Sequence, residues 1–373
     1  TGARTMVTMK QVGLNVAADP LMSLEYIGVK GGMVILVADD PGPISSQTEQ
    51  DTRHFARFSK LPCFDPSTVQ EAYDMVQEAF EYSEKYGTPV FFRSTTRVSH
   101  GYASIQVKDV EEYKNVEPEG FVKDTKRWVI FPKLSYQAHI NIEARNEELT
   151  KVFSQYKRNL LIPAEDRCKE LKKGIATGGF NYTYVTEAMA DLGQLRELKV
   201  STPHPFPEQL AVEFLTGLEE VLCIEELDPV IEEQVKSWGI ERELIYIAGK
   251  YHLPVKILGK LSHHVKNSGE NTRDSVLADI AAFMGRQLPE QGENGQAVPA
   301  PELPVRPPVL CAGCPHRASF YAVKKAMQGR KTIFCGDIGC YTMGNAMPLD
   351  MVDTCLCMGA GLGIAQGVGH IEP

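Results

Sequence analysis

Met33-Val34-Ile35-Leu36-Val37-Ala38 runs directly into Asp39-Asp40-Pro41-Gly42. A continuous apolar run closed by a turn sequence fits a fully buried parallel strand, because a strand covered on both faces has no reason to alternate polar and apolar residues. The flanks repeat the theme. Upstream, Ala3 to Thr8 reads as a short strand, Met9 to Asn15 as a polar, glycine-containing loop, and a helical stretch follows from Val16. Downstream, Asp65-Pro66 reads as an N-cap with proline at the first helical position, Val69, Tyr73, Val76 and Phe80 recur at helical spacing, and Gly87 supplies the stop. Val90-Phe91-Phe92 adds another buried strand. Residues 1 to 105 therefore read as β-α-β-α-β with parallel strands and helical crossovers, and the predicted class is α/β.

Beyond this first domain, residues 1–112, the rhythm lapses. Residues 113–170 are predicted to be a connector: Tyr113 to Ser135 mixes charge and proline, and Glu143 to Asn159 reads as a polar, exposed helix. Alternation resumes in 171–286, with a strand at Gly174 to Thr177, a turn at Gly178-Gly179 and a helix to Leu192. Further strands are predicted at Leu198–Val200, Val221–Ile224 and Val255–Leu258, and a helix at Asp274–Met284. A linker, 287–308, holds six prolines and no apolar periodicity. The unit 309–373 contains one helix, one or two strands and a glycine-rich turn, too little to bury a core alone.

Composition narrows the function classes. A net charge of -9, with Lys and Arg scattered, gives no field for wrapping nucleic acid. No apolar run reaches the roughly 18 residues of a membrane span. The opening Thr1-Gly2-Ala3-Arg4 shows no secretory leader, so a cytoplasmic location is expected. Six of the nine cysteines (Cys311, Cys314, Cys335, Cys340, Cys355 and Cys357) crowd into the last 63 residues, which in a reducing compartment reads as metal or redox chemistry rather than disulfides. Cys63, Cys168 and Cys223 stand alone in apolar contexts and are expected in the core.

Two constellations carry chemistry. Cys311-Ala312-Gly313-Cys314-Pro315-His316-Arg317 is followed, 26 residues after Cys314, by Cys340 in Gly336-Asp337-Ile338-Gly339-Cys340. Two thiolates on a tight turn and a third on a later loop suit an iron-sulfur centre, with structural zinc or plain buried thiols as alternatives. In Cys357-Met358-Gly359-Ala360-Gly361-Leu362-Gly363, closely spaced glycines open an apolar helix, a setting in which backbone N–H groups can approach a diphosphate. Alone, that turn reads more readily as tight packing than as a phosphate cradle; His316 reads as a satisfied polar residue, and Asp39 and Asp40 as turn residues.

Together these stretches resemble the thiamine-binding subunits of the indolepyruvate ferredoxin oxidoreductases, within the 2-oxoacid:ferredoxin oxidoreductase superfamily. Thr5 to Pro20 and Ala38 to Arg53 resemble loops of the family's pyrimidine-binding domain. Residues 171–286 resemble its transketolase C-terminal-like domain, and Cys311–Arg317, Gly336–Tyr341 and Asp353–Gly359 the start of its diphosphate-binding domain. The resemblance implies parallel-sheet thiamine-diphosphate folds, with 1–112 the C-terminal part of one and 309–373 the N-terminal part of the other. It also implies oxidative decarboxylation of an aryl 2-oxoacid, with the cofactor as electron sink, ferredoxin as acceptor and coenzyme A taking the acyl group. Under it Thr8 and Gly13 line the pyrimidine side together with the catalytic candidates Lys10, Gln11 and Asn15; His316 is a further catalytic candidate. Gly336, Asp337, Ile338, Gly339, Tyr341, Met358, Gly359 and Gly361 face the diphosphate, and Cys311, Cys314 and Cys340 hold a [4Fe-4S] cluster. The activating glutamate and the Mg2+ ligands of the family fall outside these residues, so the chain alone is expected to be inactive. A beta subunit, ferredoxin, coenzyme A and a 2-oxoacid are the implied partners, in a hetero-oligomer without nucleic acid or membrane. The alternatives are a non-oxidative thiamine-dependent 2-oxoacid decarboxylase and a zinc-stabilised non-catalytic subunit.

Overall fold

The computed structural model describes residues 1–42, 44, 46–113, 117–163, 171–235, 253, 255–288, 304 and 308–371. The chain divides into two compact units, Thr1–Glu290 and Gln291–Pro373.

The first unit holds two sheets. In the first, strands β1 (Thr5–Lys10), β2 (Met33–Asp39), β3 (Cys63–Phe64) and β4 (Val90–Thr95) lie in the order β1-β2-β4-β3, all parallel. The deciding run occupies a central position, and both of its faces are buried. Val34, with Phe64, Val90 and Phe92, packs against Met75 and Ala79 of the Val69–Tyr86 helix and Leu149 and Phe153 of the Pro132–Ser154 helix. Ile35 and Val37, with Cys63 and Phe91, pack against Leu14, Leu21, Ala56 and Leu61 on the opposite face. Each such fully buried side chain stabilises the unit by about 1.5–3 kcal/mol.

Three expectations are corrected here. Met9 to Asn15 is not a loop: β1 stays paired through Lys10 opposite Ala38, and a helix, Gln11–Val16, begins at once with Gln11 and Leu14 turned inward. Asp65 is not a helix cap. Thr68 caps the Val69–Tyr86 helix by accepting from the Glu71 N–H at 3.1 Å, and Gly87, at φ +62°, ends it. The connector helix starts at Pro132, ends at Ser154, and buries Ile142, Leu149 and Phe153, so it is part of the first sheet's core rather than an exposed spacer.

The second sheet has β5 (Leu160–Ile162), β6 (Lys173–Gly178), β7 (Arg196–Val200), β8 (Glu220–Ile224) and β9 (Lys256–Leu258) in the order β5-β7-β6-β8-β9, with only β5 antiparallel. The Asn181–Leu192 and Arg273–Met284 helices cover one face and Glu208–Leu215 and Val230–Val235 the other. The predicted strands and the Gly178-Gly179 turn are all present; the short edge strand β5 was not foreseen. Cys63 N–H donates to the His204 carbonyl at 2.7 Å and Asp65 N–H to that of Ser201 at 2.8 Å, tying the edge of the first sheet to the end of β7. Cys63 and Cys223 lie in the core as expected; Cys168 falls outside the described residues.

In the second unit the described elements are the Pro315–Ala326 helix, a parallel bridge between Cys335 and Thr354, a 3-10 turn at Cys340–Asn345 and the Ala360–Ile371 helix. Among its described residues the buried apolar ones are Leu310, Met351 and Val352. Among the described residues, no helix of the chain is long and apolar enough to cross a membrane.

Candidate functional site

The second unit brings its two glycine motifs together. Asp337, in the turn after the Cys335 bridge, accepts from its neighbour Ile338 N–H at 2.7 Å and, across 22 residues of sequence, from Gly359 N–H at 2.8 Å. These N–H groups stabilise the charged carboxylate and hold its pKa below the usual range, the Gly359 bond contributing most. Gly361 follows at the start of the Ala360–Ile371 helix, where a Cβ would sit 2.7 Å from the Gly336 carbonyl oxygen; only glycine lets the two turns approach so closely. A cleft of about 730 Å3 opens beside this junction, lined by Gly336, Asp337, Ile338, Tyr341 and Met358 and, on its apolar side, by Phe320 and Val323. Five residues expected at a diphosphate thus share one cleft. Gly359 and Gly361 are joined to it through Asp337 and Gly336, and Gly339, at φ +138°, turns the chain into the 3-10 segment that carries Tyr341.

The cysteine turn forms as its spacing suggests. Cys314 N–H donates to the Cys311 carbonyl at 3.2 Å, Gly313 takes φ +72°, and Pro315 opens the helix. His316 Nδ1 lies 3.3 Å from Cys314 Sγ, and its ring meets Tyr341 edge-to-face with centroids 5.0 Å apart, which places His316 and Cys314 beside the cleft-lining tyrosine. Cys311 and Cys340 are exposed. Among the described residues, no three His, Cys, Asp or Glu side chains are arranged to hold a metal ion. The arrangement therefore fits a diphosphate in kind, with a glycine-rich turn at a helix start beside an open cleft, but among the described residues does not fit a metal cluster held by Cys311, Cys314 and Cys340.

In the first unit, the residues expected on the pyrimidine side sit at the C-terminal edge of β1, the edge at which open parallel sheets bind ligands. Thr8 and Asn15 are exposed, and Lys10 and Gly13 half-buried. Gln11 is fully buried; its Nε2 donates to the Thr48 carbonyl at 3.1 Å, while its Oε1 has no partner among the described residues. Asn15 Nδ2 donates to Gln50 Oε1 at 3.0 Å. These two side chains fasten the 46–50 segment, which follows β2, against the end of β1. Gln11 is thus as much a packing residue as a site residue, a dual role its polar neighbours in sequence did not disclose.

Residues 1–175 match the family model described as "Pyruvate flavodoxin/ferredoxin oxidoreductase, thiamine diP-bdg". The chain is 41% identical over 376 residues to the indolepyruvate oxidoreductase subunit IorA of Pyrococcus abyssi (strain GE5 / Orsay), covering 98% of this chain and 55% of that protein. It is 42% identical over 378 residues to the subunit of the same name from Thermococcus kodakarensis, covering 99% and 56%. Along nearly its whole length the chain is similar to the IorA subunits of indolepyruvate oxidoreductases. It spans about half the length of the curated IorA relatives it matches. Among solved structures, it resembles 2-oxoglutarate:ferredoxin oxidoreductase from Magnetococcus marinus at a TM-score of 0.50 and 13% identity, over 75% of this chain and 53% of that one, a likeness of fold.

Where the two sheets of the first unit meet, the structure holds a buried set of charges that the sequence did not announce. Arg93, on β4, donates from Nε to Asp39 at 2.9 Å and from Nη1 to both oxygens of Asp65 at 3.2 and 3.0 Å. Arg53 donates to Asp51, to Glu225 Oε2 at 3.0 Å and to the carbonyls of Glu226 and Asp228. Asp39 is therefore the end of a strand and half of a buried ion pair rather than a turn residue. The available signal was Arg93 itself, a charge inside the otherwise apolar Val90-Phe91-Phe92 strand.

Proposed function

We propose that this chain is the thiamine-diphosphate-binding part of an enzyme that oxidatively decarboxylates aryl 2-oxoacids such as indolepyruvate, passing electrons to ferredoxin and the acyl group to coenzyme A. Similarity to the IorA subunits and the match of residues 1–175 to the thiamine-diphosphate-binding family model support the reaction class. The observation that carries the site is the Asp337 carboxylate joining the Gly336 and Gly359 turns beside the cleft. When bound, thiamine diphosphate supplies the electron sink on which a 2-oxoacid loses CO2. Gly359 and Gly361 let backbone approach the diphosphate, and Asp337 orients that turn. Tyr341 and Met358 wall the cleft, with His316 held against Tyr341 as a proton-carrying group. On the pyrimidine side, Thr8, Lys10, Gly13 and Asn15 offer the accessible groups and Gln11 fixes their frame.

In this reading residues 1–112, 171–286 and 309–373 are parts of the pyrimidine-binding, transketolase C-terminal-like and diphosphate-binding domains. A beta subunit completes the cytoplasmic enzyme, Mg2+ is held by residues beyond these, and the chain alone is inactive. A [4Fe-4S] cluster on Cys311, Cys314 and Cys340 requires these loops to rearrange, so no step is assigned to it. The test is to supply the full-length protein and its partner subunit with indolepyruvate, coenzyme A and ferredoxin. Thiamine-dependent ferredoxin reduction matched by acyl-CoA formation is the expected result. Release of CO2 and aldehyde without ferredoxin reduction would replace this reading with a non-oxidative decarboxylase.

A further inference from the structure

Glu226, two residues beyond the end of β8, is 2% exposed, and neither of its carboxyl oxygens has a hydrogen-bond partner among the described residues. Buried polar groups are almost always paired, so a carboxyl left with two open oxygens calls for a physical account. The nearest cations are committed elsewhere. Arg53 is shared between Asp51 and Glu225, and Arg93 between Asp39 and Asp65; only Arg93 Nη2 is without a partner among the described residues. Two guanidiniums thus already face four carboxylates before Glu226 is counted. The remaining charged neighbours do not redress this. Glu270, from the loop before the Arg273–Met284 helix, adds a negative charge and is paired with Arg97, and Tyr184, from the Asn181–Leu192 helix, is neutral below its raised pKa. Lys260, buried nearby against Glu225, spends its ammonium on the Lys266 carbonyl. A metal cation would need three convergent ligands, which the described residues do not offer.

We propose that Glu226 is an uncharged carboxylic acid in the folded protein and acts as a proton-held latch between the two sheets of the first unit, its ionisation loosening the junction. The Arg53 guanidinium grips the Glu226 carbonyl itself, so strain at this residue passes straight to the first turn of the Thr52–Phe58 helix. Thr52 N–H, one residue earlier, holds Asp39 at 3.1 Å, and the 46–50 segment that Gln11 and Asn15 fasten lies between Asp39 and Thr52 in the chain. A proton at Glu226 is in this way linked to the edge of the candidate site. Desolvation supports the assignment, since burial raises the Glu226 pKa to about 7, mainly by excluding water from the charged form.

A carboxyl whose folded pKa lies above its unfolded value contributes full stability below the unfolded pKa and loses it as pH rises through the folded one. Glutamine reproduces the shape and the hydrogen-bonding groups of the neutral acid. In the chain, Glu226→Gln is therefore expected to lose less stability than the wild type between about pH 5 and pH 8, a differential gain of about tenfold or more in the folding equilibrium constant. An equal loss at both pH values would overturn the proposal. Hydrogen exchange of the wild-type amides at 46–53, corrected for the intrinsic rate, gives a second reading if the variant fails to fold. Protection that falls as pH rises through about 7 supports the latch, and protection independent of pH contradicts it.

Discussion

The two units handle their polar residues in opposite ways. In Thr1–Glu290, Asp39, Asp51, Arg53, Asp65, Arg93 and Glu225 are all buried and pair with one another at the seam between the two sheets, with Asp39 Oδ1 and Arg93 Nη2 left without a partner among the described residues. In Gln291–Pro373, Cys311, Cys340, Cys357, Tyr341 and Met358 are exposed, the Pro315–Ala326 helix has no buried residue, and the Asp337 contact with Gly359 ties two turns together beside an open cleft. The difference separates two uses of charge. Groups sealed in the first unit set which arrangement of the sheets is stable, whereas groups left open in the second are available to a ligand.

The comparison breaks most visibly at Arg53. Removing one partner from a buried ionic set strands the others, so Arg53→Ala should destabilise the first unit by about 3–5 kcal/mol. Urea unfolding followed by fluorescence in the chain measures this; a loss below about 1 kcal/mol would mean that the seam is wet and weakly coupled. A smaller effect is expected at the wall of the site. Gln11→Ala removes a buried side chain bonded to the Thr48 carbonyl and should lower stability by about 1–2 kcal/mol as well as activity in the full protein, while exposed Asn15→Ala should stay within about 0.5 kcal/mol. Equal melting temperatures for the two variants would remove the distinction between them.

The acid limb sharpens the same contrast. Burial opposes ionisation of Asp51, but the Arg53 guanidinium overrides it and holds the carboxyl well below its ordinary pKa. A depressed carboxylate contributes stability above its unfolded pKa and loses it as pH falls through the folded one. Stability of the first unit should therefore decline below about pH 4, and Asp51→Asn should flatten that decline in a pH series of melting curves. The smallest expected effect on stability lies in the second unit. Asp337→Asn keeps the shape of the turn but removes the charge that orients Gly359, so it should weaken cofactor binding without shifting the unfolding of the first unit.

Much of the fold was legible in the sequence because its strands are apolar throughout and its helices carry a clear period. Met33–Ala38, Val90–Phe92 and Val221–Ile224 could be placed from pattern alone. Met9 to Asn15 misled because Lys10, Gln11 and Asn15 look like loop residues, while pairing with β2 and the inward packing of Leu14 impose strand and then helix. The same limit hid the seam. Asp39, Arg53, Arg93 and Glu225 are far apart in sequence, and no spacing rule announces a contact between the ends of two sheets. The meeting of the Gly336 and Gly359 turns was foreseen only through family resemblance; the contact itself depends on Asp337, which the local glycine pattern does not specify.

Titration of thiamine diphosphate with Mg2+ into the full-length protein and its Gly361→Ala variant tests the central assignment most directly. A Cβ at that position meets the Gly336 carbonyl at 2.7 Å and forces the two turns apart. Saturable binding to the wild type is expected, with a loss of about tenfold or more in affinity in the variant, about 1.4 kcal/mol, and the unfolding of the first unit unchanged. Equal affinity in the two proteins would place the diphosphate elsewhere and reduce the glycine junction to a packing contact.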